Sequence, residues 1–145
     1  MSTPEDAVPQ VTVSALNAIG VGRLPGLLGV EIVEVSDAQV VARLEIAAHH
    51  SAPNGYLHAA TVVALADTAC GYGCVARLPA GARGFTTIEL KTNFVATLLQ
   101  GALHCEAELV HGGRTTQLWD ATVTSEVDGR LLALFRCTQL ILYPR

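Results

Sequence analysis

The chain has 145 residues, enough for one domain with a sizeable core, and we read it as a single domain over residues 1–145. Half of it is hydrophobic, only 15% is charged and the net charge is −4, which speaks against a nucleic-acid partner, since nucleic acid selects basic stripes. No block of like charges and no basic amphipathic helix suggests membrane docking, and so apolar a composition implies that part of the surface is buried between subunits.

The first residues, Met1-Ser2-Thr3-Pro4-Glu5-Asp6, lack the basic-then-apolar order of a signal peptide, and residues 1–10 read as a frayed arm. Val13, Leu16 and Ile19 recur at helical spacing within Val11–Gly22, and Arg23-Leu24-Pro25-Gly26 breaks that helix. Val30–Val35 and Val40–Ile46 are β-rich runs around Ser36-Asp37 and predict an antiparallel hairpin. A polar loop, His49–Gly55, leads into a long helix over His58–Arg77, closed by Leu78-Pro79-Ala80-Gly81. Beyond Gly84 the period changes to two. Thr86–Phe94, Ala102–Leu109, Gln117–Ser125 and Leu131–Tyr143 predict four strands, with turns at His111–Arg114 and Asp128-Gly129. The order predicts an α+β domain in which an antiparallel sheet packs on one long helix. A single helix covers one face of a sheet, so the edges and the remaining apolar surface predict a homodimer or a homotetramer.

The run Leu57–Ala76 contains one carboxylate, Asp67, and no Lys or Arg. Its length would span a bilayer. Asp67 and His58 within it, and its richness in Ala and Gly, favour a buried helix instead. A carboxylate there loses hydration, so it finds a partner or its pKa rises, and raised carboxylates serve acid, base and nucleophilic chemistry. No Arg or Lys lies at i±3 or i±4, so any partner must come from another segment or subunit. Ala64 and Gly71 line the same helix face with small residues, which suits a substrate or close helix packing.

At the start of that helix, Ala59 and Ala60 offer free backbone N–H groups at the positive end of the dipole, able to polarise a carbonyl. His58 points away from Asp67 on an isolated helix and is expected to anchor the loop. The other signals are bland. His49-His50 fit no zinc spacing, Gly112-Gly113 precedes no helix, Ser51 has no nucleophile-elbow context, and Cys70, Cys74, Cys105 and Cys137 read as reduced, buried cysteines of a cytosolic protein.

Asn54-Gly55-Tyr56-Leu57-His58-Ala59-Ala60 followed by Leu65-Ala66-Asp67-Thr68-Ala69 resembles the hotdog-fold acyl-CoA thioesterases, nearest to the phenylacetate-degradation (PaaI-type) and 4-hydroxybenzoyl-CoA thioesterase group. Thr86–Phe94 and Gly113-Arg114 resemble the later strand and turn of that family, and the similarity runs from about residue 24 to residue 143. The resemblance implies a hotdog fold, an antiparallel sheet wrapped around one central helix. It also implies hydrolysis of an acyl-CoA thioester, with coenzyme A as part of the substrate and no metal or other cofactor.

By position it implies that Asp67 is general base or nucleophile and that the Ala59 N–H polarises the thioester oxygen. Asn54 would place water or thioester and Thr87 would assist water, with His58 counted among the catalytic residues; Gly55, Ala60, Gly71 and Arg114 would bind the substrate, Arg114 at the coenzyme A phosphates. Two departures stand out. The family's His-Gly-Gly is His58-Ala59-Ala60 here, and the strict position of the loop amide is held by Ala52 rather than by Asn54. A hydratase of the same fold, or a non-catalytic acyl-CoA binder, is the alternative to hydrolysis.

Overall fold

The computed structural model describes residues 11–145; the amino-terminal arm expected over residues 1–10 lies outside the described residues. Helix α1 spans Val13–Ile19 and buries Leu16, and Thr12 caps it by accepting a hydrogen bond from the Ala15 N–H. The break expected at residues 23–26 is itself a short helix, α2 (Leu24–Leu28). Pro25 sits in its first turn, where a missing N–H costs nothing, and Gly29 ends it at φ 84°, a left-handed conformation that favours glycine.

Strands β1 (Glu31–Val35) and β2 (Gln39–Glu45) form the expected hairpin. A short 3-10 turn at Ala48–His50 follows, and then helix α3 (Ala59–Ala76), with His58 and Arg77 as its caps. The remaining strands are β3 (Gly84–Phe94), β4 (Ala102–Gly112), β5 (Thr116–Ser125) and β6 (Leu131–Leu142). Strand β4 runs three residues beyond the sequence boundary at Leu109, because a bulge between Leu109 and His111 keeps it paired with β5 through Gly112.

All six strands form one antiparallel sheet in the order β1-β2-β4-β5-β6-β3. Period-two alternation sorts the two faces. Val40, Ala42, Leu44, Leu103, Cys105, Ala107, Trp119, Ala121, Val123, Ala133, Phe135 and Cys137 point inward and are buried. The outer face meets solvent and is laced by ion pairs: Arg43 with Glu31, Glu45 and Glu126, and Arg136 forked onto Asp120.

Helix α3 lies on the inner face through Val62, Leu65, Ala66, Ala69, Cys70, Gly73 and Cys74. It is long and apolar enough to cross a membrane by composition, but here it is the core helix of the sheet. Its small residues let it sit close. A Cβ on Gly73 would lie within 2.9 Å of three ring carbons of the buried Trp119. The Gln117 amide donates to the Arg77 carbonyl at the helix end, and the Trp119 indole N–H donates to the Gln117 oxygen, so the otherwise orphaned C-terminal carbonyl has a partner. The four cysteines are buried and free.

Strand β3 is a sheet edge of 11 residues. Its inward positions Leu90 and Phe94 remain 43% and 49% exposed, so the helix-facing side of this edge is not fully covered by the described residues.

Candidate active site

The loop before α3 is held by one buried histidine. His50 accepts a hydrogen bond from the Ala47 N–H at Nδ1 (2.9 Å), which leaves its proton on Nε2 to donate to the Leu28 carbonyl (2.6 Å). The His50 carbonyl in turn accepts from the His58 N–H (2.9 Å) and the Thr61 hydroxyl (3.0 Å). Helix α2, the loop and the first turn of α3 are thereby fixed together.

His58 is the residue that starts α3. Its backbone is extended (φ −66°, ψ 132°) and its Nδ1 accepts from the Ala60 N–H at 2.9 Å. A histidine ring here takes the place of the usual Ser, Thr or Asp side chain at a helix start. The sequence expectation of two free donors is therefore corrected. The Ala60 N–H is occupied by His58, while the Ala59 N–H has no acceptor among the described residues. Ala59 opens into a cavity of about 240 Å³ lined by Tyr56, Leu57, Val62, Phe94, Ala96 and Leu132, with Thr97 as its further wall. Among the described residues no charged side chain lines it. On the other side of the same turn, Ala60, Thr61 and Ala64 face a second cavity of about 260 Å³ with Leu24, Leu28, His49, Ser51 and His58.

Asp67 stands mid-helix, partly buried. Desolvation raises its pKa above the ordinary carboxylate value. Among the described residues its buried Oδ1 has no hydrogen-bond partner, and the one other buried side-chain N or O atom in that condition is the Thr92 hydroxyl, on β3. A buried carboxylate oxygen without a partner is costly to the fold and free to act on a ligand. The nearby thiols do not compete as nucleophiles: burial pushes Cys105 up to about 12 and Cys74 up to about 12, and Cys70 is pushed up as well, with its neighbour Cys137 and burial as the causes.

The other expected site residues are distributed as follows. Asn54 is exposed and uses its side-chain oxygen to accept from the Tyr56 N–H at 3.2 Å, a local turn, with Gly55 at φ 88° inside it. Gly71 is buried beneath Phe85, whose ring carbon would stand 3.2 Å from an added Cβ. Thr87 is half-buried on β3 and donates to the buried Gln139 side-chain oxygen at 2.7 Å. Arg114 lies in the β4–β5 turn and lines a cavity of about 440 Å³ with Arg77, Asp37 and Gln117, at the end of α3 opposite Ala59. Asp67 and Ala59 thus share one helix, and Arg114 stands at its far end.

Sequence reasoning missed Gln139, Thr92 and the cavity walls Phe94 and Leu132. Gln139 had a signal: it falls in the inward phase of Cys137-Thr138-Gln139-Leu140-Ile141, where an apolar residue is expected. The cavity walls had none, because they come from three separate segments.

Comparison with known proteins agrees with this architecture. The profile of the thioesterase superfamily matches residues 54–132. The chain is 33% identical to the 1,4-dihydroxy-2-naphthoyl-CoA hydrolase of Listeria monocytogenes over 77% of this chain and 89% of that one. It is 28% identical to the 1,4-dihydroxy-2-naphthoyl-CoA hydrolase of Escherichia coli over 92% and 96%. Among solved structures, a mutant thioesterase from Pseudomonas aeruginosa superposes with a TM-score of 0.87 at 24% identity, covering 92% of this chain and 96% of that one. A thioesterase family protein from Silicibacter pomeroyi gives 0.78 at 27% identity, covering 92% and 100%.

Proposed function

The chain belongs to the thioesterase superfamily, with its hotdog fold, and from that premise we propose that it hydrolyses an acyl-CoA thioester through Asp67 and the Ala59 N–H. The observation that carries this is the pair of groups left without partners among the described residues, the Asp67 carboxylate oxygen and the Ala59 N–H; eight residues, about 12 Å of helix, separate them, so one thioester meets the Ala59 N–H of one subunit and Asp67 of the facing one. Hydrolysis needs these two groups: a base of raised pKa for water and a donor for the oxyanion.

In the proposed reaction the thioester carbonyl oxygen accepts from the Ala59 N–H. Asp67 of the facing subunit takes a proton from water as the water oxygen bonds to the carbonyl carbon. The negative charge moves onto the carbonyl oxygen, where the donor and the positive end of the helix dipole stabilise it. The carbon–sulfur bond then breaks, the carbonyl re-forms, and the proton passes from Asp67 to the sulfur. The products are the free acid and coenzyme A. Direct attack by the carboxylate, forming an anhydride that water then opens, uses the same two groups. His58 fixes the helix start rather than moving protons, since its Nδ1 is committed to Ala60.

The acyl group sits in the apolar cavity beside Ala59, and its lack of charged walls supports an uncharged acyl group, aryl among the candidates. Arg114, with Arg77 beside it, meets the coenzyme A phosphates. Asn54 and Gly55 shape the loop above the thioester, the Ala60 methyl narrows the approach to α3, and Gly71 leaves room for the Phe85 ring. The enzyme acts as a homodimer or homotetramer in the cytoplasm, with the half-exposed Leu90 and Phe94 at the β3 edge covered by a second subunit. The reaction draws on the chain's own groups, with no resident metal or redox cofactor, and coenzyme A arrives with the substrate.

Asp67→Asn assayed for thiol release on aryl- and fatty-acyl-CoAs tests the proposal. Loss of turnover with retained binding is expected. Tight binding without turnover by the parent chain on every thioester would replace the hydrolase with a binder.

A further inference from the structure

Gln139 is fully buried on the sheet's inner face, on β6 one strand in from the β3 edge, where a leucine or methionine would satisfy the packing. Its neighbours in register are Gln117 on β5 and Thr87 on β3, so a polar row crosses three strands under the helix. The Gln117 end of the row has a structural task, holding the helix carbonyl of Arg77 and the Trp119 indole. The Gln139 end does not. Its oxygen accepts from the Thr87 hydroxyl at 2.7 Å, and among the described residues its NH₂ finds only the Cys137 sulfur, at 3.4 Å. Sulfur is a weak acceptor, so this amide is under-satisfied in a dry core, a condition that costs stability.

The Thr87 hydroxyl is what this costly amide orients. Strand β3 runs opposite to α3: the Phe85 ring lies over Gly71, and Phe94 shares a cavity with Ala59 and Val62. From Phe85 to Thr87 the strand advances about 6.6 Å. From Gly71 back to Asp67 the helix advances about 6 Å. Thr87 is therefore carried alongside the turn that bears Asp67. Immediately after Thr87 the β3–β6 register shifts by a bulge, the kind of irregularity that re-aims a side chain beside a site. With its hydrogen committed to Gln139, the Thr87 oxygen offers only lone pairs to that side.

We propose that Gln139 is a positioning residue for the hydrolytic water: it locks Thr87 as an acceptor, so that a water giving one proton to Asp67 gives its other hydrogen to Thr87. The assignment rests on the hydrolase function proposed above and adds to it a residue that touches no substrate. The water's oxygen lone pair is then directed away from both acceptors, toward the thioester carbon.

The test compares the parent chain with Gln139→Leu, Thr87→Val and the double variant, reading kcat and KM on benzoyl-CoA and the melting temperature. Gln139→Leu is expected to lower kcat by roughly 10- to 100-fold, to leave KM within about threefold, and to melt at the parent temperature or above. Thr87→Val should lower kcat comparably, and the double variant should lose no more than the worse single one, because both remove the same acceptor. Parent-like kcat in Gln139→Leu would overturn the assignment alone and leave the hydrolase standing. So would a lower melting temperature with losses that multiply in the double variant, the signature of a packing role. No turnover by the parent chain on any acyl-CoA would overturn both.

Discussion

Replacing Ala59 by proline removes a single backbone hydrogen and little else. Ala59 is the first residue of α3, where proline's fixed φ suits the helix. The residue before it, His58, already has ψ 132°, within the extended range that proline imposes on its predecessor. The lost N–H has no acceptor among the described residues, so none of their hydrogen bonds is broken. The stability cost is expected to stay within about 1 kcal/mol, a melting shift of no more than about 4 °C for a chain of this size. The catalytic cost should be far larger. Loss of one oxyanion donor costs about 100- to 1,000-fold in kcat, or about 2.7–4 kcal/mol. Thiol release from a good acyl-CoA substrate measures it, with circular dichroism reporting the fold. Ala59→Val adds bulk and keeps the N–H, so it should lose less than about tenfold and separates crowding from donor loss. A folded Ala59→Pro variant within threefold of the parent kcat would refute the role of this N–H.

Asp67 titrates above the ordinary carboxylate value, so kcat/KM should fall as pH drops through that raised value; a pH–rate profile whose acid limb lies at an unshifted aspartate value would contradict this. The same shift predicts a stability effect. Asp67 binds its proton more tightly folded than unfolded, so its contribution is fully present below the unfolded pKa and is lost as pH rises through the folded one. Asp67→Asn should accordingly melt higher at neutral pH, by a few degrees, with the gain vanishing below about pH 4. Gly73→Ala drives a methyl into the Trp119 ring and should destabilise by about 1–3 kcal/mol in chemical denaturation. His50→Ala strands the Leu28 carbonyl and the Ala47 N–H and should cost about 2–4 kcal/mol, with activity falling as the α3 entry loosens. Leu90→Asp at the β3 edge should shift the sedimentation profile toward monomer and lower activity with it; an unchanged assembly would exclude this edge as the interface.

Much of the fold was legible because it is local. The period-two runs after Gly84 and the long apolar segment around Asp67 fix strands and helix from side-chain chemistry alone, and His58 followed by two alanines marks where the helix begins. Boundaries slipped where long-range pairing overrides the turn signal, as at His111-Gly112, or where a proline starts a helix instead of ending one, as at Pro25. Asp67 stood out because a lone charge in an apolar helix is visible without knowing what surrounds it.

Which groups gather around it is a different matter. Two donors at Ala59 and Ala60 look equivalent in sequence; only the rotamer of His58 spends one and leaves the other. Phe94 and Leu132 meet beside Ala59, and Gln139 meets Thr87, across separations of tens of residues that only strand register sets. Residue type and spacing decide what each segment is, since those preferences act within a few residues. The site depends on which segments the sheet brings together, and that follows from burying the whole inner face at once.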